Sequence, residues 1–426
     1  MIKNVCVVGG GASGLMAAYA AAKNGHNVIL FEKNEKLGKK IYITGKGRCN
    51  FTNDCSLEEF FLNIVRGEKF LKSALYAFSP QKTIDFFQNF GLSVKIERGN
   101  RAFPVSDHAS DVTKTLEKAC RTVGVDIRLN EKVEHFYSTT RDIIPMRDIV
   151  DSTTRDIIPT SHIVNVQTEK GNYQFDYVII ATGGLSYPST GSTGDGYAFA
   201  KKIGHTIVDL RCGLCGINTR DETPTLQGLT LKNVKITIKN QNKTIFTDFG
   251  EMLFTHFGVS GPIILSASSK INRLDIEKLD VLLDLKPALD EETLDKRILR
   301  DFETYKNKQI DNALTDLLPQ KLIPFILNRC EIDEKKCVNV ITKEERLRLL
   351  KNIKYFPVKL HSLRSFNEAI ITSGGVTLNE INPKTMESKL LPGFKFCGEV
   401  LDIDAYTGGF NLQLAFSTGY AAGDTI

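Results

Sequence analysis

Residues 3–32 alternate between two kinds of hydrophobic pattern. Val5-Cys6-Val7-Val8 is a short continuous apolar run, and Leu15, Ala18, Ala21 and Ala22 share one small apolar helical face. A second apolar run ends at Glu32, so the stretch predicts strand, helix, strand. Residues 57–91 are expected to be helical throughout. Within them Ser79 can cap a helix, Pro80 suits its first turn, and Gly91 follows its last. A further helix is expected from Ser110 to Val123, stopped by Gly124, with short strands across Val125–Tyr137. Gln174–Ala181 reads as a buried strand ending in Ala-Thr-Gly-Gly.

The pattern then changes. Residues 206–289 carry β-branched alternation, as in Val234-Lys-Ile-Thr-Ile238. Residues 290–352 are helical and charged, with Thr342-Lys-Glu-Glu345 as a capping box. From residue 365 the glycine-rich strand–turn–helix style returns. The expected fold class is α/β: a discontinuous Rossmann-type domain over 1–205 and 365–426, with a β-rich plus helical domain inserted over 206–364. Ser138-Thr-Thr-Arg-Asp-Ile-Ile-Pro145 recurs unchanged as Ser152-Thr-Thr-Arg-Asp-Ile-Ile-Pro159. One repeated pair is no solenoid. We read 138–165 as a local duplication that lengthens a hairpin.

Composition narrows the function classes. A net charge of +5 on 426 residues is too small and too dispersed to suggest a nucleic-acid or membrane surface. The start of the chain has no charged, apolar and cleavage segments in series, and no apolar run approaches the ~18 residues of a membrane span. Nine scattered cysteines, an odd number, fit reduced thiols in a cytoplasmic protein.

The strongest chemical signal is Gly9-x-Gly11-x-x-Gly14, placed after a strand and opening a helix, with Glu32 at the end of the next strand. Gly9 makes the tight turn, Gly11 lets a diphosphate approach the backbone, and Gly14 lets the helix pack on the sheet. The helix N-terminus offers free N–H groups to phosphate, and Glu32 can accept hydrogen bonds from a ribose diol. The loop Gly38–Asn50 is dense in glycine and cations, with Lys40 and Arg48 as charge partners for a diphosphate. A third element, Gly398-Glu399 followed by Thr407-Gly-Gly-Phe-Asn-Leu-Gln413, opens a helix expected over 410–422. Its amides near Asn411 and Leu412 are expected to face the N1/C2 carbonyl of a flavin, with Glu399 on the ribityl chain.

Together these segments resemble the bacterial NAD(P)/FAD-dependent oxidoreductases that include aminoacetone-oxidase-like flavoproteins and bile-acid Δ4,6-reductases. The resemblance rests on Thr44-Gly-Lys-Gly-Arg-Cys-Asn50, Phe103–Asp107, Ala181–Pro188, Gly191–Gly196, Leu253–Pro262, Thr372–Val376 and the Gly398–Gln413 block. It implies a Rossmann-type FAD-binding domain, with FAD contacts at Ser13, Glu32, Lys40, Gly45, Gly47, Arg48, Asn50, Glu399, Asn411 and Leu412. It also implies an adenine contact through the Val133 backbone. With the motif glycines Gly9, Gly11 and Gly14, and with Lys33, Cys49, Gly183 and Gly409, these form the expected cofactor set. Where the family often has glycine this chain has Ala405, which would be strained if the position needs a positive φ.

Cys49 and Cys55 are separated by five residues where thiol–disulfide flavoenzymes use four, and Cys212-Gly-Leu-Cys215 lacks the further ligands of a zinc site. All four read as packing residues, and no metal is expected. His256 and Tyr187 are the candidate catalytic groups, as proton carriers. No second Gly-x-Gly-x-x-Gly unit follows a strand, so NAD(P)H would dock transiently. The expected activity is reduction of a small organic acceptor by hydride from NAD(P)H through flavin N5. The alternatives are an amine oxidase of the aminoacetone type that makes hydrogen peroxide, and a flavin-bearing RNA-modifying protein. No nucleic-acid or membrane partner is expected.

Overall fold

A computed structural model describes residues 1–138, 163–220 and 223–426. The chain divides into two units, one formed by Met1–Cys212 with Phe366–Ile426 and one by Gly213–Ser365. The expected discontinuous fold with a β-rich and helical insertion is what the chain forms.

The first unit is built on a five-stranded parallel sheet. Its strands are β1 (Asn4–Val8), β2 (Asn27–Glu32), β3 (Asp126–Leu129), β4 (Tyr177–Ile180) and β5 (Phe394–Phe396), in the order β5-β4-β1-β2-β3. Val8 pairs with Phe31 on one side and Ile180 on the other. The chain therefore leaves β1 toward one neighbour and returns on the other, which opens a crevice at the carboxyl end of β1. Helix α1 (Ala12–Lys23) covers the sheet and has no exposure at Leu15, Met16, Ala17, Ala18, Ala20 or Ala21. The last helix, α2 (Phe410–Asp424), lies along it. A Cβ on Gly419 would come within 2.3 Å of the Ser13 carbonyl, and one on Gly423 within 2.2 Å of the Ala17 carbonyl. Only glycine permits so close an approach.

Two local expectations change. Residues 57–91 are not helical throughout: Ile64–Arg66 is a strand between helices, paired antiparallel with Asp404–Ala405. Gly67, at φ +83°, turns the chain out of that strand. The run Gln174–Ala181 is also divided. Gly171–Phe175 joins an antiparallel sheet with Val164–Thr168 and Val133–Ser138, whereas β4 joins the parallel sheet. Asp176 is the hinge, its amide donating to the Asn4 carbonyl and its carboxylate accepting from the Asn4 amide. The other start and stop signals act as read. Ser79 accepts from the Lys82 amide, and Gly124 has φ +84° after helix Ala109–Thr122. Most of the duplicated segment, 139–162, lies outside the described residues.

The second unit has a seven-stranded antiparallel sheet. The strands run Phe356–Val358, Asp280–Asp284, Thr230–Asn240, Lys243–Thr255, Gly258–Ser260, Ile217–Thr219 and Leu360–Leu363. Ile236, Ile238, Phe254, Leu283 and Phe356 meet Ile298, Leu327, Leu350 and Ile353 from its helices in one core. Thr342 and Glu345 form the expected capping box on helix Lys343–Lys354.

Candidate active site

The turn from β1 into α1 holds Gly9, Gly10 and Gly11, with Gly14 one turn on, and only Gly11 has open space for a side chain. Gly9 has φ +107°, and a Cβ there would lie 2.6 Å from the Ala181 carbonyl. A Cβ on Gly14 would lie 1.9 Å from the Gly9 carbonyl. Gly11 is different: its φ is −83° and a Cβ would meet nothing within 4 Å. The space in front of Gly11 is open. Gly11 is the N-cap of α1 without a side-chain cap, and the first intrahelical bond runs from the Leu15 amide to the Gly11 carbonyl. The amides before Leu15 are therefore available to an anion. At the end of β2 the buried Glu32 carboxylate accepts from the amides of Gly10 and Asn34, both at 2.8 Å. Asn34 Nδ2 also donates to the carboxylate at 2.6 Å, so Glu32 is fixed in orientation.

Helix α2 has the same kind of start. Its N-cap Gly409 is left-handed at φ +96°, Gly408 before it is at φ +126°, and no side chain caps the end. A Cβ on Gly409 would lie 2.3 Å from the Thr52 carbonyl, so both space and conformation demand glycine. The pairings Gly419 with Ser13 and Gly423 with Ala17 show that α1 and α2 run in the same direction. At 1.5 Å per residue, the start of α2 lies about 12 Å ahead of the start of α1. Two open helix ends at that offset suit a diphosphate at the first and the ring system of a ribityl-linked flavin at the second. Ser13 itself is buried against Gly398 and Gly419.

A polar network centres on Glu399. Lys40 donates to Glu399 Oε2 at 2.6 Å and to Ser186 Oγ. Ser186 Oγ donates to Glu399 Oε1 at 2.8 Å, and the Thr372 amide donates to the same oxygen at 2.7 Å. Thr372 Oγ1 in turn accepts from the amides of Leu185 and Ser186. Ser186 and Thr372 thus hold the Glu399 carboxylate in place. Sequence reasoning gave them no role, although both lie in segments that carry the family resemblance.

Several expected residues make contacts of their own. Arg48 forks onto Glu97 and Asp107 and lies over the Phe103 ring, so its guanidinium is engaged within the protein. It holds the Glu97 carboxyl below its usual range; Lys95 and then Arg48 do the same for Asp107. The Asn411 side chain bonds the Ala405 amide and carbonyl, which leaves its backbone amide for a ligand. Leu412 follows it in the first turn of α2. Ala405 is not left-handed, so the anticipated strain is absent. Lys33 pairs with Asp195 at 2.6 Å. Gly45, Lys46, Gly47 and Cys49 all have positive φ, which folds the loop tightly onto itself. Val133 begins its strand two residues after Glu131, whose amide bonds the Glu32 carbonyl. Gly183 is left-handed at φ +73°, facing Ser192.

All nine cysteines are free thiols. Burial pushes the Cys49 thiol well up and the Cys55 thiol to about 11, which suits packing rather than redox exchange. Tyr187 is left-handed at φ +52°, an uncommon state for a bulky residue that costs on the order of 1–3 kcal/mol. It is held by its backbone N–H donating to the Phe366 carbonyl and by Thr190 Oγ1 donating to its own carbonyl. Burial, then the charge of Glu368, raises its phenol pKa. His256, in the second unit, is exposed on the turn between Lys243–Thr255 and Gly258–Ser260, its ring edge-on to Phe257. Among the described residues no His, Cys, Asp and Glu cluster could hold a metal, and no helix is long and apolar enough to cross a membrane.

Comparison with known proteins gives the family and the fold. The family profile described as HI0933-like protein Rossmann domain matches residues 3–425. The 3-dehydro-bile acid delta(4,6)-reductase of Clostridium scindens is 28% identical over 99% of this chain and 98% of its own. The ribosomal RNA dihydrouridine synthase of Escherichia coli is 28% identical over 99% of this chain and 97% of its own. Among solved structures, 3-ketosteroid-delta4-(5alpha)-dehydrogenase from Rhodococcus jostii superposes with a TM-score of 0.51 over 99% of this chain and 96% of its own, at 13% identity, a likeness of fold. Matched almost from end to end, the chain belongs to the HI0933-like Rossmann family.

Proposed function

We propose that this flavin-dependent oxidoreductase binds FAD and saturates a carbon–carbon double bond conjugated to a carbonyl, with NAD(P)H as the reductant and a small organic molecule as acceptor. The names of two whole-length relatives support that reading: a 3-dehydro-bile acid delta(4,6)-reductase and a ribosomal RNA dihydrouridine synthase. The observation that carries the cofactor reading is the pair of uncapped helix ends, one facing the open space at Gly11 and one behind Gly409.

When bound, FAD supplies the two-electron relay between nicotinamide and acceptor. The chain's part is to hold and to protonate. The α1 amides hold the diphosphate, Glu32 the adenosine ribose, and Glu399, fixed by Lys40, Ser186 and Thr372, the ribityl hydroxyls. The acceptor gains a hydride at the carbon β to its carbonyl and a proton at the α carbon, while NAD(P)H becomes NAD(P)⁺. Tyr187, a phenol protonated at neutral pH with its pKa raised further by burial, is the proton donor we favour.

A second reading follows from the Escherichia coli relative: the acceptor is a uridine in RNA. Anaerobic mixing separates the readings. Bleaching of bound flavin by NADH or NADPH, then recolouring by a small enone, supports the first. Recolouring by RNA alone supports the second. Bleaching by aminoacetone but by neither nicotinamide would point to an oxidase and against both.

A further inference from the structure

The loop carrying Cys49 and Asn50 is pinned to the start of α2. Thr52 Oγ1 donates to Gln413 Oε1 at 2.6 Å, and Asn53 Nδ2 donates to the Gly408 carbonyl at 3.0 Å. Gln413 Nε2 is in turn bonded to the Phe78 carbonyl, so neither side of this junction is loose. At the junction sits Asn50, which is 9% exposed, and its Oδ1 is buried without a hydrogen-bond donor. That oxygen lies 2.9 Å from where a Cβ on Gly409 would stand, beside the uncapped helix end. A buried amide oxygen left alone costs about 1–3 kcal/mol. It sits next to free N–H groups, where a ligand able to donate and accept would satisfy both.

We propose that Asn50 reads the pyrimidine edge of the flavin: Oδ1 accepts the N3–H, while the amides of Asn411 and Leu412 donate to the adjoining C2 carbonyl. The edge presents an acceptor and a donor side by side, and the protein presents their complements from two segments 361 residues apart in sequence, bridged by Thr52 and Gln413. This assignment deepens the FAD reading and rests on it. Asn50 is a cofactor-recognition residue.

The test uses FAD and 3-methyl-FAD, which lacks the N3–H, titrated into flavin-free protein and followed by flavin absorbance and fluorescence. The wild type is expected to prefer FAD by about tenfold or more, the value of one well-placed hydrogen bond. In Asn50→Ala the preference is expected to fall below about threefold, with FAD itself bound about tenfold more weakly. Asn50→Asp keeps an acceptor and adds a charge, so it should retain the preference and lower the midpoint potential of the bound flavin. Equal binding of the two flavins by the wild type would overturn the assignment while leaving FAD binding intact, and so would an undiminished preference in Asn50→Ala. Should Asn50→Ala not fold, the wild-type comparison and Asn50→Asp still decide. Protein that takes up neither flavin would overturn the FAD reading and this one with it.

Discussion

Lys40 Nζ stands 2.6 Å from Glu399 Oε2, tying the glycine-rich loop after β2 to the segment that follows β5. Both side chains are largely shielded, so breaking the pair leaves a charge without its partner. Lys40→Met and Glu399→Gln are each expected to weaken FAD binding by about tenfold, and the double variant by less than the product, because one network is lost rather than two. Titration of the flavin-free variants gives the coupling directly; strictly multiplicative losses would mean the two residues act apart.

The glycines of the first turn should separate by role. At Gly11 the backbone is ordinary and the space is open, so Gly11→Val should fold like the wild type and lack flavin colour. At Gly14 an added methyl group meets the Gly9 carbonyl, so Gly14→Ala should lose several degrees of melting temperature whether or not FAD is present. Flavin retained at full stoichiometry in Gly11→Val would refute the diphosphate placement.

Tyr187→Phe removes the phenolic proton without changing the backbone. Bleaching by NAD(P)H should proceed at the wild-type rate, whereas recolouring by the acceptor should slow by ~10²-fold or more. Stopped-flow absorbance resolves the two halves. Equal slowing of both would mean that Tyr187 positions the cofactor rather than moving a proton.

Lys395 is buried, and its ammonium donates to the carbonyls of Ala422 and Thr425 and to Thr425 Oγ1 at the end of α2. Burial pushes its pKa down from the ordinary 10.5 to about 8. Between about pH 8 and 10.5 the unfolded chain then binds more protons at this site than the folded one. This group's contribution to stability should therefore rise with pH across that window. Lys395→Met should flatten the rise. Denaturant melts at several pH values measure this.

Elements set by local rules were legible in the chain. The Gly9–Gly14 turn with Glu32, the Ser79 cap and the Thr342–Glu345 box each depend on residues close in sequence. What escaped depends on partners far away. Ile64–Arg66 is a strand only because Asp404–Ala405 pairs with it, and nothing within 57–91 announces that partner; Gly67 was the one local hint. The pairing of Arg48 with Glu97 and Asp107 joins segments far apart in the chain, which the glycine-rich loop alone does not announce. Ser186 and Thr372 lay in recognised segments, but their meeting at Glu399 is a property of the fold.

Interrupting the first unit with the whole of Gly213–Ser365 has a consequence for biosynthesis. As the polypeptide emerges from the ribosome, the bend at Gly9–Gly14 is made first, yet α2 follows only after the insertion has been translated. A nascent chain stalled before residue 366 therefore lacks α2 and its uncapped start, and any ligand that needs both helix ends must wait until residues beyond 410 have emerged.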